Sequence, residues 1–427
     1  MLFKEQKIPH TPFMPILRLS LFADVYRSNA KIARFLSTLV LFGVSYGLYR
    51  GIQDNYLAEI IHITPFERGI VEFFREIPGL LIILLLALMY RFSESRVFKI
   101  GLALAMGGLV GLLVTTTDLL RTKYLVVLFM VIFSLGEHII MPVRSAISMD
   151  LANREKTGAS LGITSSISQL GNILGFFIVM AVFFALGRSG VGRTDVLGYR
   201  IIIGLSAALM LASALTALAL KETALKQKRR RFYFARKFHK YYMLEIFYGA
   251  RKQIFITFAP YVLILQYGAD PTIMSLLYAV CAGTGIFFAP LTGKIIDKLG
   301  YKVVMVGDTL ILIVVCLLYG FSHRIFVKEI AFTVVCVNFV LDSIISMASM
   351  ASNVYVKRIA SSQEEVTATI STGLSVNHLF SIIIALIGGW IWKVTGIELL
   401  FSLSAVLGLV SSIYAATINK SEEYIPQ

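Results

Sequence analysis

Arginine, histidine and carboxylate side chains interrupt several stretches of the sequence that are otherwise apolar. In the stretch YRGIQDNY, Arg50 and Asp54 are four residues apart, which places them on one face of a helix and roughly 6 Å apart along its axis. An ionisable residue near the middle of an apolar span costs about 2.5 to 3.5 kcal/mol, so its presence indicates a function. The other residues of this kind are Glu137, His138, Arg144, Arg251, Lys252, Asp342 and His378.

The cationic side chains among these residues predict the charge of a ligand. They are Arg50, Arg144, Arg251 and Lys252. Guanidinium groups bind carboxylate and phosphate through paired hydrogen bonds, so we expect a solute with at least one negative group. With the polar residues near them, the expected solute-binding set is Arg50, Glu137, Arg144, Gln169, Arg251, Lys252, Asp342, Asn377 and His378.

The carboxylates at similar depth, Asp54, Glu137 and Asp342, have three uses that stay open. They form ion pairs with the cations, bind the amine of a zwitterion, or carry a coupling proton. Proton coupling needs a group that can gain and lose a proton. Burial favours the neutral form of such a group, and a cationic neighbour favours its charged form. We predict this role for Glu137, with the adjacent His138, and name Asp54 as the second candidate. The alternative is a fixed Arg50–Asp54 pair that only orients its helix.

A metal ion is an alternative ligand, because oxygen and nitrogen donors occur in the same spans. These donors are Asp54, Glu137, His138, Asp342 and His378. The surrounding arginines disfavour a bound cation, so we predict no metal site and no cofactor. A neutral buried histidine bonded to a neighbour remains the alternative for His138 and His378.

A second charged group consists of Glu72, Arg75 and Glu76. Counting along its span places this group in the outer half, away from the centre. Charges there are as well suited to a gate or a salt-bridge network as to solute binding, and we predict a gate.

The composition shows what surrounds these charges. The chain has 427 residues, of which 57% are apolar and 15% are charged, and its mean hydropathy is +0.78. Soluble domains do not have this composition, so most of the chain lies in a bilayer. A spanning helix needs about 20 mostly apolar residues, and runs of that length recur. The twelve predicted spans are 35–61, 66–90, 97–117, 124–149, 158–186, 197–220, 243–266, 272–295, 303–321, 329–356, 366–392 and 399–418.

The predicted fold is an all-α membrane protein with twelve transmembrane helices in two pseudo-symmetric halves. Its parts are an N-terminal segment at 1–34, a six-helix bundle at 35–220, a basic linker at 221–242, a second six-helix bundle at 243–418 and a tail at 419–427. A weak internal repeat aligns 154–161 with 363–370, and the same register places Gln169 over His378. Parallel halves of this kind are common in transporters.

Lysine and arginine are concentrated in the connections after even-numbered spans, and above all in the linker stretch KQKRRRFYFARK. Positive connections stay in the cytoplasm, so we predict that both termini are cytoplasmic. The net charge of +15 then follows from topology and from contact with anionic membrane lipid, and no nucleic-acid partner is predicted. The lack of a targeting peptide and of long loops favours a prokaryotic inner membrane, where we expect a monomer.

The connection after the eighth span reads GKIIDKLGYK. It resembles the loop signature of the major facilitator superfamily, in which Gly is followed four residues later by Asp, then by a basic residue, a Gly and further basic residues. The resemblance implies a transporter with alternating access, whose first, fourth, seventh and tenth helices line a central cavity. It implies gating residues at Gly293, Asp297, Lys298, Gly300 and Lys302, with Gly293 allowing a close helix approach and Gly300 making the reversal.

Two departures limit what the resemblance implies. The first-half counterpart of this loop, YRFSESRVFK, lacks both the leading Gly and the Asp. The fifth span reads GNILGFF and lacks the Gly-Pro pair of drug/proton antiporters, which disfavours multidrug export. Its glycines, Gly158, Gly162, Gly171 and Gly175, are expected to pack closely against another helix. Asp308, in an outer helix, is expected to be a structural cap.

Signatures of membrane-embedded enzymes and of ATP-driven pumps are missing from the sequence, since neither HExxH, GxSxG nor a P-loop occurs. We therefore predict a secondary transporter and not an enzyme. The expected cargo is a small polar solute, anionic or zwitterionic, moved with proton coupling. The alternatives are an exporter of divalent metal ions or lipophilic compounds with the same fold, and a membrane receptor that does not transport.

Overall fold

The computed structural model describes residues 25–26, 29–89, 91–117, 121–153, 156–190, 192, 195–220 and 233–418. The N-terminal segment up to residue 24, linker residues 221–232 and the tail from residue 419 lie outside the described residues. The predictions made for those parts stay predictions.

The described chain folds into long helices that form two halves. The helices of the first half are α1 (Asn29–Asn55), α2 (Pro65–Leu88), α3 (Glu94–Val114), α4 (Lys123–Leu151), α5 (Thr157–Arg188) and α6 (Val196–Leu218). Those of the second half are α7 (His239–Tyr267), α8 (Pro271–Leu299), α9 (Tyr301–Ile325), α10 (Lys328–Ile345), α11 (Met350–Ile359), α12 (Gln363–Thr395) and α13 (Ile397–Ala416). Each predicted span coincides with one of these helices, apart from the tenth.

The tenth predicted span, 329–356, lies within one helical span of membrane length, Lys328–Ile359, but its helix is interrupted. A 3₁₀ turn at Ser346–Ser349 divides it into α10 and α11. Serine hydroxyls at this break bond to backbone carbonyls, with Ser346 Oγ 2.7 Å from the Ser343 oxygen and Ser352 Oγ 2.9 Å from the Ser349 oxygen. Such side-chain bonds compete with the regular helix, and a 3₁₀ segment within a span often marks a hinge.

Ten of the helical spans in the described chain are long and apolar enough to cross a membrane by composition alone. The remaining two are α2 and α7, which have 24 and 29 residues but carry more charge. These two helices contact each other, and both contact α12, so their charged faces are turned toward protein. The chain is a multi-pass membrane protein in which the charge-rich helices α2 and α7 pack against other helices.

Helix ends follow local sequence signals. Thr64 caps α2 by accepting a bond of 3.3 Å from the Glu67 amide, and Pro65 fits the first turn that follows. Gly300 has a φ of +84°, which L side chains rarely adopt, and it turns the chain from α8 directly into α9. Nothing lies within 4 Å of a Cβ built on Gly293, so the close helix approach expected there is not made in this structure.

The glycines of α5 separate into two pairs. A Cβ on Gly175 would lie 2.5 Å from the Val44 oxygen and 2.7 Å from the Leu48 nitrogen, and one on Gly171 would lie 3.0 Å from the Cα of Gly43. This pair therefore lets α1 and α5 pack backbone to backbone, as predicted. For Gly158 and Gly162, no described residue lies within 4 Å of such a Cβ, so the packing predicted for them is not found among the described helices.

Replacing Gly175 by Ala should destabilise the protein by about 1 to 3 kcal/mol, because the new methyl group meets backbone atoms that cannot rotate away. The matched change on the same helix, Gly162→Ala, should be neutral or slightly stabilising, since it meets open space and improves helix propensity. Thermal unfolding of the two detergent-purified variants measures the difference. Equal melting temperatures would show that α1 and α5 do not depend on this contact.

We call the end of the bundle where α1 and α7 begin the linker end, and the end where they finish the far end. The two halves meet at the far end, where Asn55 Nδ2 donates to the Ala269 oxygen at 2.9 Å and a Cβ on Gly389 would lie 3.0 Å from the Phe66 oxygen. At the linker end, an apolar cluster around Phe238 and Tyr241 contains residues of the second half alone. The contacts between the halves are therefore concentrated at the far end.

Candidate functional site

A row of alternating charges runs along α1 and α2 from the far end to mid-depth. Arg68 is fully buried, and its guanidinium lies 3.1 Å from Asp54 Oδ1 and 2.7 Å from Glu72 Oε2. Arg50 lies 3.5 Å from Asp54, and Arg75 Nε lies 2.9 Å from Glu72 Oε2. Arg75 also contacts Glu76. The members of this charge ladder are Arg50, Asp54, Arg68, Glu72, Arg75 and Glu76.

Helical spacing produces the ladder. Arg50 and Asp54 are four residues apart, as are Arg68, Glu72 and Glu76, and Arg75 follows Glu72 by three, so these side chains extend along one side of each helix. Its three cations and three carboxylates balance, which is what makes burial tolerable, since an unpaired buried charge would be strongly destabilising. The expected Arg50–Asp54 pair is present. Asp54 has a second ion-pair partner, Arg68, which belongs to the same half and not to the opposite one.

The second half approaches the ladder with neutral groups. Tyr278 donates to Asp54 at 2.7 Å, and Gln253 Nε2 donates to Glu72 at 3.0 Å. The Arg50 guanidinium also lies 5.2 Å from the centre of the Tyr278 ring, within reach of a cation–π contact. Apart from the contact of His378 with Glu76, the second half thus meets the ladder through neutral donors, while the ion pairs of the ladder lie within the first half.

Two histidines meet at the mid-depth end of the ladder. His378 Nδ1 lies 2.8 Å from Glu76 Oε2, and the His138 ring centre lies 5.4 Å from that of His378. His138 Nδ1 lies 2.8 Å from the Ser134 carbonyl oxygen, which accepts a hydrogen bond when this ring nitrogen carries the proton. Of the metal ligands expected from sequence, only His138 and His378 come together, and the carboxylate beside them is Glu76.

The solute and coupling residues expected in the first half lie next to the ladder, on its linker side. Glu137 is half-buried and interacts with Tyr46, Arg75 and Arg144. Arg144 donates to Ser168 Oγ at 3.1 Å, and its buried Nε has no partner among the described residues. The side-chain amides of Gln169 and Asn172 lie 2.8 Å apart on α5.

A second cluster lies in the second half, where Arg251 is buried. Its guanidinium lies 4.0 Å from Asp308 and 4.0 Å from Asp342. Of the uses left open for Asp342, the structure places it opposite a cation, Arg251. Asp308 lies about two turns into α9, which begins at Tyr301, so its predicted role as a cap is wrong.

The same cluster continues toward the linker end. Glu245 accepts from Ser352 Oγ at 2.9 Å and from Asn377 Nδ2 at 3.2 Å, which places the expected solute ligand Asn377 beside a carboxylate. Lys252 is exposed, with its ammonium 5.7 Å from the Tyr248 ring. A small cavity of about 40 Å³ is lined by Glu245, Arg251 and Asp308 among others.

The predicted gating residues occupy two places. Glu72, Arg75 and Glu76 belong to the charge ladder, whereas Gly293, Asp297, Lys298, Gly300 and Lys302 lie at the linker end. There, Asp297 and Lys298 are exposed, and Lys302 Nζ donates to the Ile418 oxygen at 2.7 Å. The structure does not bring these two groups together.

Sequence reasoning missed Arg68, Gln253 and Tyr278. Arg68 lies at the edge of the predicted second span, where a charge is ordinary, although its spacing from Glu72 is that of a helical ion pair. Gln253 and Tyr278 are neutral, and nothing in their spacing marks them as partners of α1 and α2. Only the packing of the halves shows their contact.

Two six-helix halves with charges enclosed between them define a class of polytopic membrane transporters. A family model described as Major Facilitator Superfamily matches residues 35–240 and 241–424. The chain belongs to this superfamily and is a transporter, not an enzyme.

Solved structures agree with this fold at low sequence identity. The nucleoside transporter NupG has a TM-score of 0.70 and 14% identity, over 91% of this chain and 100% of that one. A D-xylose-proton symporter has a TM-score of 0.69 and 12% identity, over 91% and 97% of the two chains. A peptide transporter, POT, in complex with sulfate has a TM-score of 0.68 and 14% identity, over 94% of this chain and 98% of that one. No curated protein sequence matches the chain.

Proposed function

We propose that the protein is a proton-coupled secondary transporter that moves a small polar solute with an anionic group by alternating access. The observation that carries the proposal is the division of contacts at the seam: the arginine–carboxylate pairs lie inside the first half, and the second half adds hydrogen bonds to the same carboxylates. Proteins of similar fold include a nucleoside transporter, a peptide transporter and a D-xylose-proton symporter. Their cargoes agree with a small polar solute.

Alternating access requires the far end to open and close repeatedly. The hydrogen bonds to ladder carboxylates that opening breaks are Tyr278–Asp54, Gln253–Glu72 and His378–Glu76. Each joins a carboxylate to a donor and contributes about 1.5 to 3 kcal/mol, and water replaces the donor when the halves separate. The ion pairs of Arg68 stay intact in both states, so opening leaves no buried charge without a partner.

The solute anchors best supported by the structure are Arg144 and Lys252, one from each half. Neither forms an ion pair with a described residue, whereas Arg50 and Arg251 already face carboxylates. A solute with a carboxylate or phosphate would satisfy both free cations. It would also give the buried Nε of Arg144 the acceptor that it lacks.

Replacing Arg144 by Gln should weaken solute binding by about 10- to 100-fold, which is the value of a hydrogen bond to a charged group. The measurement is thermal stabilisation of the detergent-purified protein by a panel of organic anions, zwitterions, neutral sugars, organic cations and divalent metals. We expect an anion or zwitterion to stabilise the parent and to lose its effect in the variant.

The matched control is Arg188→Gln, which removes an exposed arginine at the far end of α5. It should leave the response to the panel unchanged. Stabilisation by lipophilic compounds alone would overturn the assignment of an anionic solute. Ligand binding without flux in proteoliposomes would indicate a receptor with the transporter fold.

The proposed orientation places the linker end in the cytoplasm of a prokaryotic cell, because lysine and arginine are concentrated there. The structure then represents the state closed to the outside. Glu72, Arg75 and Glu76 would gate the outer side, and the Gly293 to Lys302 connection would act at the cytoplasmic side. Proton coupling is assigned to Glu137.

A further inference from the structure

Glu76, His138 and His378 meet at a point where three helices from both halves converge. Each of the three offers one ligand atom, and these atoms lie within 4.8 Å of one another. Two residues come from the first half, on α2 and α4, and His378 comes from α12 of the second. We propose that they form a site for a transition metal ion of the zinc class, and that a bound ion holds the far end closed.

The ligand chemistry selects the ion. Two imidazoles and one carboxylate are the donor set of many zinc sites, while magnesium and calcium prefer oxygen ligands alone. Zinc bonds of about 2.0 to 2.2 Å place neighbouring ligand atoms about 3.3 Å apart in a tetrahedral site. His378 Nδ1 and Glu76 Oε2 are already 2.8 Å apart, so only small side-chain movements are needed.

Neighbouring groups orient the ligands as a metal site requires. The Ser134 carbonyl oxygen, 2.8 Å from His138 Nδ1, fixes the proton on that nitrogen and leaves Nε2 free to bind a metal. Arg75 contacts Oε1 of Glu76, so the other oxygen, Oε2, faces the histidines. The cation would replace the proton shared between Glu76 and His378.

Gly79 makes room for the two imidazoles. A Cβ at this position would lie 2.6 Å from His138 Nε2 and 2.9 Å from His378 Cε1. A side chain here would therefore push apart the two rings that must share the ion. The glycine provides a way to disturb the site without removing any ligand.

Binding at this place depends on conformation. His378 joins the other two ligands only while the halves are in contact, and separating them leaves Glu76 and His138 as an incomplete pair. A ligand that binds one state more tightly shifts the population toward that state. A zinc-class ion should therefore favour the closed far end and, if the proposed transport function is right, inhibit flux.

The experiment titrates the purified full chain with Co²⁺ and follows the visible absorption that a low-symmetry cobalt site produces. We expect saturable binding in the parent. His378→Gln and Gly79→Ala should each raise the Kd by about 100-fold or more, since losing even an outer-shell partner costs 10- to 100-fold. The matched control is His323→Gln, which removes a histidine 3.3 Å from Glu398 in a pair without a second imidazole.

Amide hydrogen exchange with and without Zn²⁺ tests whether the bound ion holds the far end closed. Residues 61–68 at the far end should exchange more slowly with Zn²⁺ in the parent and not in His378→Gln. The cobalt measurement needs no transport, so failure of the proposed function would leave it standing. Equal cobalt binding in parent and His378→Gln, faster far-end exchange with Zn²⁺, or uptake of the metal by proteoliposomes would each overturn the proposal.

Discussion

Replacing Arg68 by Gln should destabilise the protein by about 3 to 5 kcal/mol, the range for breaking a buried ion pair by removing one partner. Arg68 is fully buried, and its two nitrogens are the cationic partners nearest to Asp54 Oδ1 and Glu72 Oε2. Both carboxylates are themselves buried, so neither can turn to water when the guanidinium is lost. The measurement is equilibrium or thermal unfolding in mild detergent.

The matched control is Arg324→Gln, which breaks a pair with Glu398 in which the arginine side chain is 67% exposed. Exposed pairs contribute roughly 0 to 1 kcal/mol, so this variant should unfold close to the parent. Arg68→Lys provides a second test if Arg68→Gln does not fold. It keeps the charge but cannot reach both carboxylates in fork geometry, and an intermediate loss is expected. A loss below about 1 kcal/mol in Arg68→Gln would mean that water or rearrangement compensates the carboxylates.

The position of the ion pairs explains how a charged seam can still move. A transporter that broke buried ion pairs in every cycle would have to supply several kcal/mol each time. Here the charges balance within α1 and α2, and the second half contributes Tyr278, Gln253 and His378. The charge ladder is therefore electrostatically complete within the first half, and the second half can rock against it.

The twelve spans were predictable because a lipid-exposed backbone must satisfy its own hydrogen bonds, which leaves long apolar helices as the simple solution. The break at Ser346–Ser349 was not predictable from hydropathy, since it depends on serine side chains bonding to local carbonyls. For the glycines of α5, the spacing could be seen in the sequence, but the helix that packs against each glycine could not. Gly171 and Gly175 pack against α1, whereas Gly158 and Gly162 pack against none of the described helices.

For the candidate site, the sequence was a good guide to which charged residues are buried. It was a poor guide to which of them are in contact. Depth within a span marked Arg50, Asp54 and Arg251, because the cost of burial applies wherever the partner lies. Partners depend on how the halves and the outer helices pack. Asp308 was expected to be a cap because it lies near one end of its span, yet its carboxylate faces Arg251.

The second large expected effect concerns Glu137 and the use of protons. Its carboxylate lies in the fields of Arg75, at the seam, and of Arg144, at the proposed solute anchor. In the proposed cycle, an anionic solute pairs with Arg144 and withdraws this cation from Glu137, and a proton takes the place of the cation. Solute and proton would then move together.

Glu137→Gln should therefore abolish proton-driven accumulation while leaving solute exchange intact. With one proton per solute, an imposed gradient of one pH unit supports about tenfold accumulation, because one unit corresponds to about 1.4 kcal/mol. The variant should show no accumulation in proteoliposomes with that gradient. Counterflow with labelled solute should continue, since the neutral amide resembles the protonated carboxyl group.

The matched control is Asp150→Asn, which neutralises an exposed carboxylate on the same helix near the linker end. It should accumulate solute as the parent does. If Glu137→Gln still accumulates solute tenfold, Glu137 does not carry the coupling proton. The carboxylates beside Arg251, which are Asp308 and Asp342, would then be the next pair to neutralise, because they share a single guanidinium at 4.0 Å.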